Sequence, residues 1–257
     1  MRAAGAATAA RPLVVLAVAC SLGCAGSTPL LHPAHTLQPG RVMMGAGVAG
    51  HLGALEAADI VGEDTSEGVL EDFAVAPGVA PWAAGRIGID GDNEAGVTYA
   101  GRSFRVDFRH AFKLEPLHLS LGLGGSALIP RRRGGDADLG SAYGGGFDVP
   151  VLLGWVSDAE LYSVWFGPRG GFEYLVGDVL ESELRRTGRG DTFVPFEARH
   201  GFVGGLLGAK IGFRNFHVAL EVDVAYHLAD GTFGEVPTDV SLGQLTISPA
   251  GALLLTL

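Results

Sequence analysis

The chain has 257 residues, of which 47% are hydrophobic, with a formal net charge of −10 and a mean hydropathy of +0.30. That acidic balance argues against a nucleic-acid partner, whose phosphates it would repel. Beyond the first 24 residues no stretch approaches the roughly 20 continuous apolar residues of a membrane helix, so the apolar content is interleaved with polar positions, as in the wall of a β-barrel. The 41 glycines fit strands packed around a narrow lumen, where small inward residues are needed. The aliphatic content and the absence of a three-residue repeat count against a collagen-like or disordered chain.

Residues 1–23 have the layout of an export signal, with Arg2 and Arg11 before the apolar run Leu13 to Ala19, which is too short to span a bilayer. Cys20 and Cys24 are the only cysteines. This segment resembles bacterial lipoprotein signals, in which a small residue precedes the cysteine that becomes the lipidated N-terminus. Cys24, after Leu22 and Gly23, fits that pattern best, although Ser21 stands where the family usually has Leu, and Cys20 is the alternative site. A plain secretory signal with incidental cysteines is the alternative to that reading. In every case the mature chain has no internal disulfide, thiol nucleophile or cysteine metal site.

Residues 24–40 then read as a lipidated end followed by a Pro-rich tether, in which His32 and His35 are taken as solvated linker histidines rather than a metal pair. From residue 41 to 257 a series of strand candidates follows, each bounded by turn signals: 41–52, 81–89, 95–99, 102–112, 117–128, 143–156, 161–176, 201–213, 215–229 and 245–257. The acidic stretch from Glu56 to Asp72, between the first two, reads by default as a solvated loop, with a short amphipathic helix over the barrel mouth or a cation site as alternatives. Around Ala100-Gly101 the apolar set switches from odd positions (Ala95, Val97, Tyr99) to even ones (Phe104, Val106, Phe108). A two-residue turn produces that flip, and so does a β-bulge. The same flip across Arg214-Asn215 supports a hairpin there.

The most regular segment is 215–229, where Phe216, Val218, Leu220, Val222, Val224, Tyr226 and Leu228 alternate with a polar set that includes His217, Glu221, Asp223 and His227. Strict period-two alternation over this length means a strand with one dry and one wet face. Tyr143 and Trp155 sit twelve steps apart on another strand; at about 3.3 Å per residue and a tilt of roughly 45° they are about 28 Å apart along the membrane normal, near the height of an apolar band with its two aromatic girdles.

Short connections near residues 90, 115, 158 and 214 alternate with longer ones, and only the one at Ala100-Gly101 breaks the long set. The pattern over 41–257 resembles that of small bacterial outer-membrane β-barrel proteins, which commonly end on an aromatic residue where this chain has Leu257. The expected fold is all-β: an antiparallel up-and-down transmembrane β-barrel of ten strands, or eight if a weak early strand lies outside it. An even count places both barrel ends on the periplasmic side, where the N-terminal lipid anchor is then expected.

Arg105, Asp107, Arg109, Glu221 and Asp223 are expected to form a charge network across the lumen, with a narrow charged conduit as the sharper alternative. Arg131, Arg132 and Arg133 fall in an expected external loop, where they could meet lipopolysaccharide phosphates. His118-Leu119-Ser120 resembles the His-x-Ser pair of outer-membrane lipid-hydrolysing barrels. However, Leu121 replaces the Asn that follows the serine there, and the Leu119 and Leu121 face turns His118 and Ser120 inward, away from lipid. The expectation is therefore a non-catalytic envelope protein, with structural, interaction or limited solute-passage roles and no cofactor or metal. The alternatives are a lipid-hydrolysing enzyme or a soluble periplasmic lipocalin-like barrel.

Overall fold

The computed structural model describes residues 28–56, 65–132, 140–157, 160–180, 192–234 and 238–257. Ten strands run in chain order: β1 (Val42–Glu56), β2 (Gly78–Ile89), β3 (Asn93–Ala100), β4 (Ser103–Leu114), β5 (Leu117–Arg132), β6 (Gly140–Val156), β7 (Tyr162–Leu180), β8 (Phe193–Phe213), β9 (Phe216–Phe233) and β10 (Thr238–Thr256). Among the described residues one helix, α1 (Thr65–Ala74), lies between β1 and β2. Each strand pairs antiparallel with its neighbour in sequence, and β1 closes on β10 from Met43↔Thr256 to Glu56↔Gln244. The result is a ten-stranded transmembrane barrel with no free edge, which satisfies the backbone of every strand without water.

The apolar set faces out. Along β9 exposure alternates without a break: Leu220, Val222 and Val224 are exposed, whereas His217, Glu221, Asp223 and His227 are buried. A water-soluble lipocalin-like barrel requires the opposite polarity, an apolar interior and a polar outside. Tyr143 projects outward and Trp155 packs against Tyr162 with ring centroids 5.2 Å apart, at opposite ends of β6.

The turn between β3 and β4 is Gly101-Arg102, because Ala100 pairs with Ser103; this is one residue later than the expected Ala100-Gly101, and Gly101 takes the positive φ of 54° that the turn needs. At the other predicted hairpin Phe213 pairs with Phe216 across Arg214-Asn215. The rim holding the four other short connections also holds the start of β1 and the end of β10, joined by Leu257 N–H to the Val42 carbonyl at 2.8 Å.

The wall is uneven. β3 and β4 have 8 and 12 residues, whereas β7 to β10 have 18 to 21. The tall side is lined within by α1, which corrects the default reading of the acidic stretch over residues 65–74. Val69, Leu70, Phe73 and Ala74 share one helical face and bury it against Leu175, Phe196, Ala198, Phe233 and Leu242. Phe73 stacks on Phe196 at 4.9 Å. The acidic residues of the helix take the other face, except that Glu71 accepts a hydrogen bond from Gln244 at 2.8 Å. Apolar spacing outweighs acidity here because the taller strands offer an apolar lumenal surface above the charged section.

A lumen threaded by its own N-terminal segment

The expected tether is inside the barrel. Leu30, Leu31, His32 and Ala34 are almost completely buried, so His32 is not a solvated linker histidine. The reason lies in unpaired backbone groups: Pro29 and Pro33 carry no N–H, and the extended segment around them has little internal hydrogen bonding to offer. The barrel wall supplies the partners. Glu221 accepts from the N–H groups of Leu30 and Leu31 at 2.7 and 2.9 Å, and from Trp165 Nε1 at 3.1 Å. Glu94 accepts from Leu37 N–H at 2.8 Å. Arg169 donates to the Thr28 carbonyl at 2.7 Å, Trp82 Nε1 to that of Pro29 at 3.2 Å, and Arg109 to those of Pro33 and, at 3.0 Å, His35. Arg109 also reaches His32 Nδ1 at 2.8 Å; a guanidinium only donates, so this ring nitrogen is the acceptor. Leu31 has a φ of 50°, a left-handed conformation unfavourable for a branched side chain. That bend lets two consecutive N–H groups converge on one carboxylate, forming an anion-binding nest.

Around this thread runs a chain of buried ion pairs. Arg86 bridges Glu94 and Asp107. Arg105 holds Asp107 at 2.7 Å and Asp148 at 2.7 Å, Arg169 holds Asp148 at 3.0 Å, and Arg109 holds Glu94 at 2.8 Å. Of the five residues expected to form the network, Arg105 and Asp107 are paired directly. Arg109 turns instead to Glu94 and the thread. Glu221 is not beside the arginines of β4 but under Leu30 and Leu31, and Asp223 lies 4.0 Å from Arg169. Buried pairs of this kind add little net stability when intact, but removing one member leaves a charge uncompensated, at a cost of about 3–5 kcal/mol.

Glu94, Trp82 and Trp165 were not among the expected lumenal residues. Parity could have found them: Glu94 shares phase with Gly96 and Thr98, Trp82 with Arg86, and Trp165 with Arg169. The large inward side chains are seated on glycines of neighbouring strands. A Cβ on Gly208 would overlap the Trp165 ring, and one on Gly124 would overlap the Arg105 guanidinium.

Above Thr28 and below the end of α1 is an internal cavity of about 60 Å³. His200 Nδ1 meets Glu173 at 3.0 Å, His200 Nε2 meets His227 Nδ1 at 2.9 Å, and His227 Nε2 meets Thr246 at 2.9 Å. His51 packs 5.2 Å from the His227 ring, with neither of its nitrogens hydrogen-bonded among the described residues. Arg102 closes the mouth by bonding Glu173 at 2.8 Å and the Phe73 carbonyl at 2.7 Å. Among the described residues no cluster of three or more His, Cys, Asp or Glu is arranged to hold a metal ion.

His118 and Ser120 face inward near the short-turn rim, where the His118 ring lies 5.8 Å from that of His35 and Ser120 is buried. They do not face lipid. Cys20, Cys24 and the signal segment lie outside the described residues, as do Arg133 and the side chains of Arg131 and Arg132.

No protein-family model matches the chain, and no curated protein matches it. Three solved structures have a likeness to the chain. The attachment invasion locus protein Ail of Yersinia pestis is 10% identical, covering 84% of this chain and 99% of Ail, with a TM-score of 0.32. Neisserial surface protein A is 12% identical, covering 84% and 95%, at 0.32. The CymD monoaromatic hydrocarbon channel is 11% identical, covering 86% and 89%, at 0.30. At these values the closed strand order, and not the likeness, establishes the fold.

Proposed function

We propose that this chain is an outer-membrane β-barrel lipoprotein of a Gram-negative bacterium, acylated on Cys24, with a non-catalytic structural and interaction role. The observation that carries the non-conducting part of this reading is the thread: residues 28–37 occupy the section of the lumen through which a solute would pass, and ion pairs fill much of the space beside it. A barrel built this way presents surfaces and loops rather than a channel. On the loop side, Arg131, Arg132 and Arg133 would meet lipopolysaccharide phosphates, and the outer wall would meet membrane lipid. The lipid-hydrolysing alternative is disfavoured because His118 and Ser120 face the barrel interior, with Leu119 and Leu121 on the lipid side.

The test is electrical and chemical. Purified protein reconstituted into planar bilayers should show no steady single-channel conductance, whereas a variant lacking residues 28–37 should conduct. Steady conductance by the intact chain would overturn the reading. Phospholipid or lipid A hydrolysis lost on Ser120→Ala would overturn its non-catalytic part.

A further inference from the structure

The contacts of the N-terminal segment have a strict vertical order. Gly40 bonds the Gly88 carbonyl at 3.0 Å, on the rim that holds the short turns. Leu37 then meets Glu94, and His35 and Pro33 meet Arg109. Leu30 and Leu31 meet Glu221, and Pro29 meets Trp82, which lies opposite Ala100 near the other end of the wall. Finally the Thr28 hydroxyl lies 3.1 Å from that of Ser103, the first residue of β4. The segment therefore runs up the inner side of the wall along β4, from Arg109 to Ser103. That strand's 12 residues, tilted by roughly 45°, rise about 26 Å.

At the top the wall is lowest. The turn Gly101-Arg102 comes one residue after Tyr99, which packs against the exposed Phe104 at 5.2 Å, an aromatic pair of the kind that marks a membrane interface. Cys24 is four residues before Thr28, a reach of at most about 14 Å. That is enough to step over the β3–β4 turn into the adjacent leaflet. It is too short to return to the opposite rim, which lies a full wall height away through a lumen already filled by the same segment.

We infer that the mature N-terminus is delivered through its own barrel to the rim opposite the short turns, so that the acyl chains on Cys24 anchor in the outer leaflet at the cell surface. The sequence expectation of a periplasmic anchor followed from where β1 begins, and the thread separates the two ends by the thickness of the membrane. The identity of the anchor rests on the lipoprotein reading above, whereas the side on which the N-terminus emerges rests on the thread alone.

The experiment uses full-length protein in living cells, with two single substitutions. Ser27→Cys places a thiol just before the thread, and Asn215→Cys places one on a short turn. A membrane-impermeant maleimide should label position 27 in intact cells to the same extent as in permeabilised cells, and position 215 only after permeabilisation. Labelling of position 27 only after permeabilisation, or of position 215 in intact cells, would overturn the inference. A second variant, Thr28→Cys with Ser103→Cys, should form an intramolecular disulfide in heat-modifiable, folded barrel. Folded barrel without that cross-link would also overturn it. Intact mass separates the two readings: an unmodified Cys24 refutes the lipid anchor, while the labelling pattern still decides the side.

Discussion

The thread is held at its centre by one carboxylate, so Glu221→Ala is the most direct perturbation of this lumen. The substitution leaves three donors without their acceptor: the N–H groups of Leu30 and Leu31 and Trp165 Nε1, now bonded at 2.7, 2.9 and 3.1 Å. A buried donor left unsatisfied costs about 1–3 kcal/mol, so the two donors on the thread set an upper range of about 2–6 kcal/mol for its undocking. Water entering the space vacated by the side chain will replace part of this. The left-handed Leu31 adds to the effect, because its strain of order 1–2 kcal/mol is no longer offset by the nest it builds. A net weakening of about 2–4 kcal/mol follows, which multiplies the undocked population by roughly 30- to 1,000-fold. Amide hydrogen exchange reads this directly: Leu30 and Leu31 should lose protection by that factor, while the β9 and β10 ladders keep theirs. Single-channel recording should show intermittent openings absent from the parent. Unchanged protection at Leu30 and Leu31 would refute the assignment of Glu221 as the anchor of the thread.

The neighbouring position should behave in the opposite way. Val222 faces lipid, so Val222→Arg should cost about 2–4 kcal/mol if it lies near mid-membrane, seen as a lower denaturant midpoint of folding into bilayers with the thread still protected. Gly208→Leu would drive a side chain into Trp165, and should sharply lower the yield of heat-modifiable barrel, with Gly208→Ala intermediate. At the helix, Leu70→Asp places a charge in the apolar cluster under α1; α1 should lose exchange protection while the ion pairs of the lower lumen remain, and a parallel loss throughout would refute independent docking of the helix. Ala76, two residues past the end of α1, caps it with a φ of 53° and its N–H on the Glu71 carbonyl, so Ala76→Gly should raise α1 protection by an amount equivalent to about 0.5–1 kcal/mol, measured by the same exchange experiment.

The sequence by itself determined the wall. Period-two alternation leaves one arrangement in which Phe216 to Leu228 are dry and His217 to His227 are not, and the parity flips near Gly101 and at Arg214-Asn215 are local consequences of two-residue turns. Backbone geometry enforces both, so both are written along the chain, as is the inward orientation of Arg105, Asp107, Arg109, Glu221 and Asp223. The contents of the lumen were decided only by the tertiary structure. Residues 28–37 carry no periodicity because an extended, Pro-containing segment has no regular face, and its destination is set by Glu221, Glu94, Arg109 and Arg169, which lie roughly 60 to 190 positions away in sequence. For the same reason the partner of Glu221 could not be read from its strand. A carboxylate facing inward is equally suited to an arginine or to two backbone amides, and closure of β1 on β10 places it under Leu30 and Leu31.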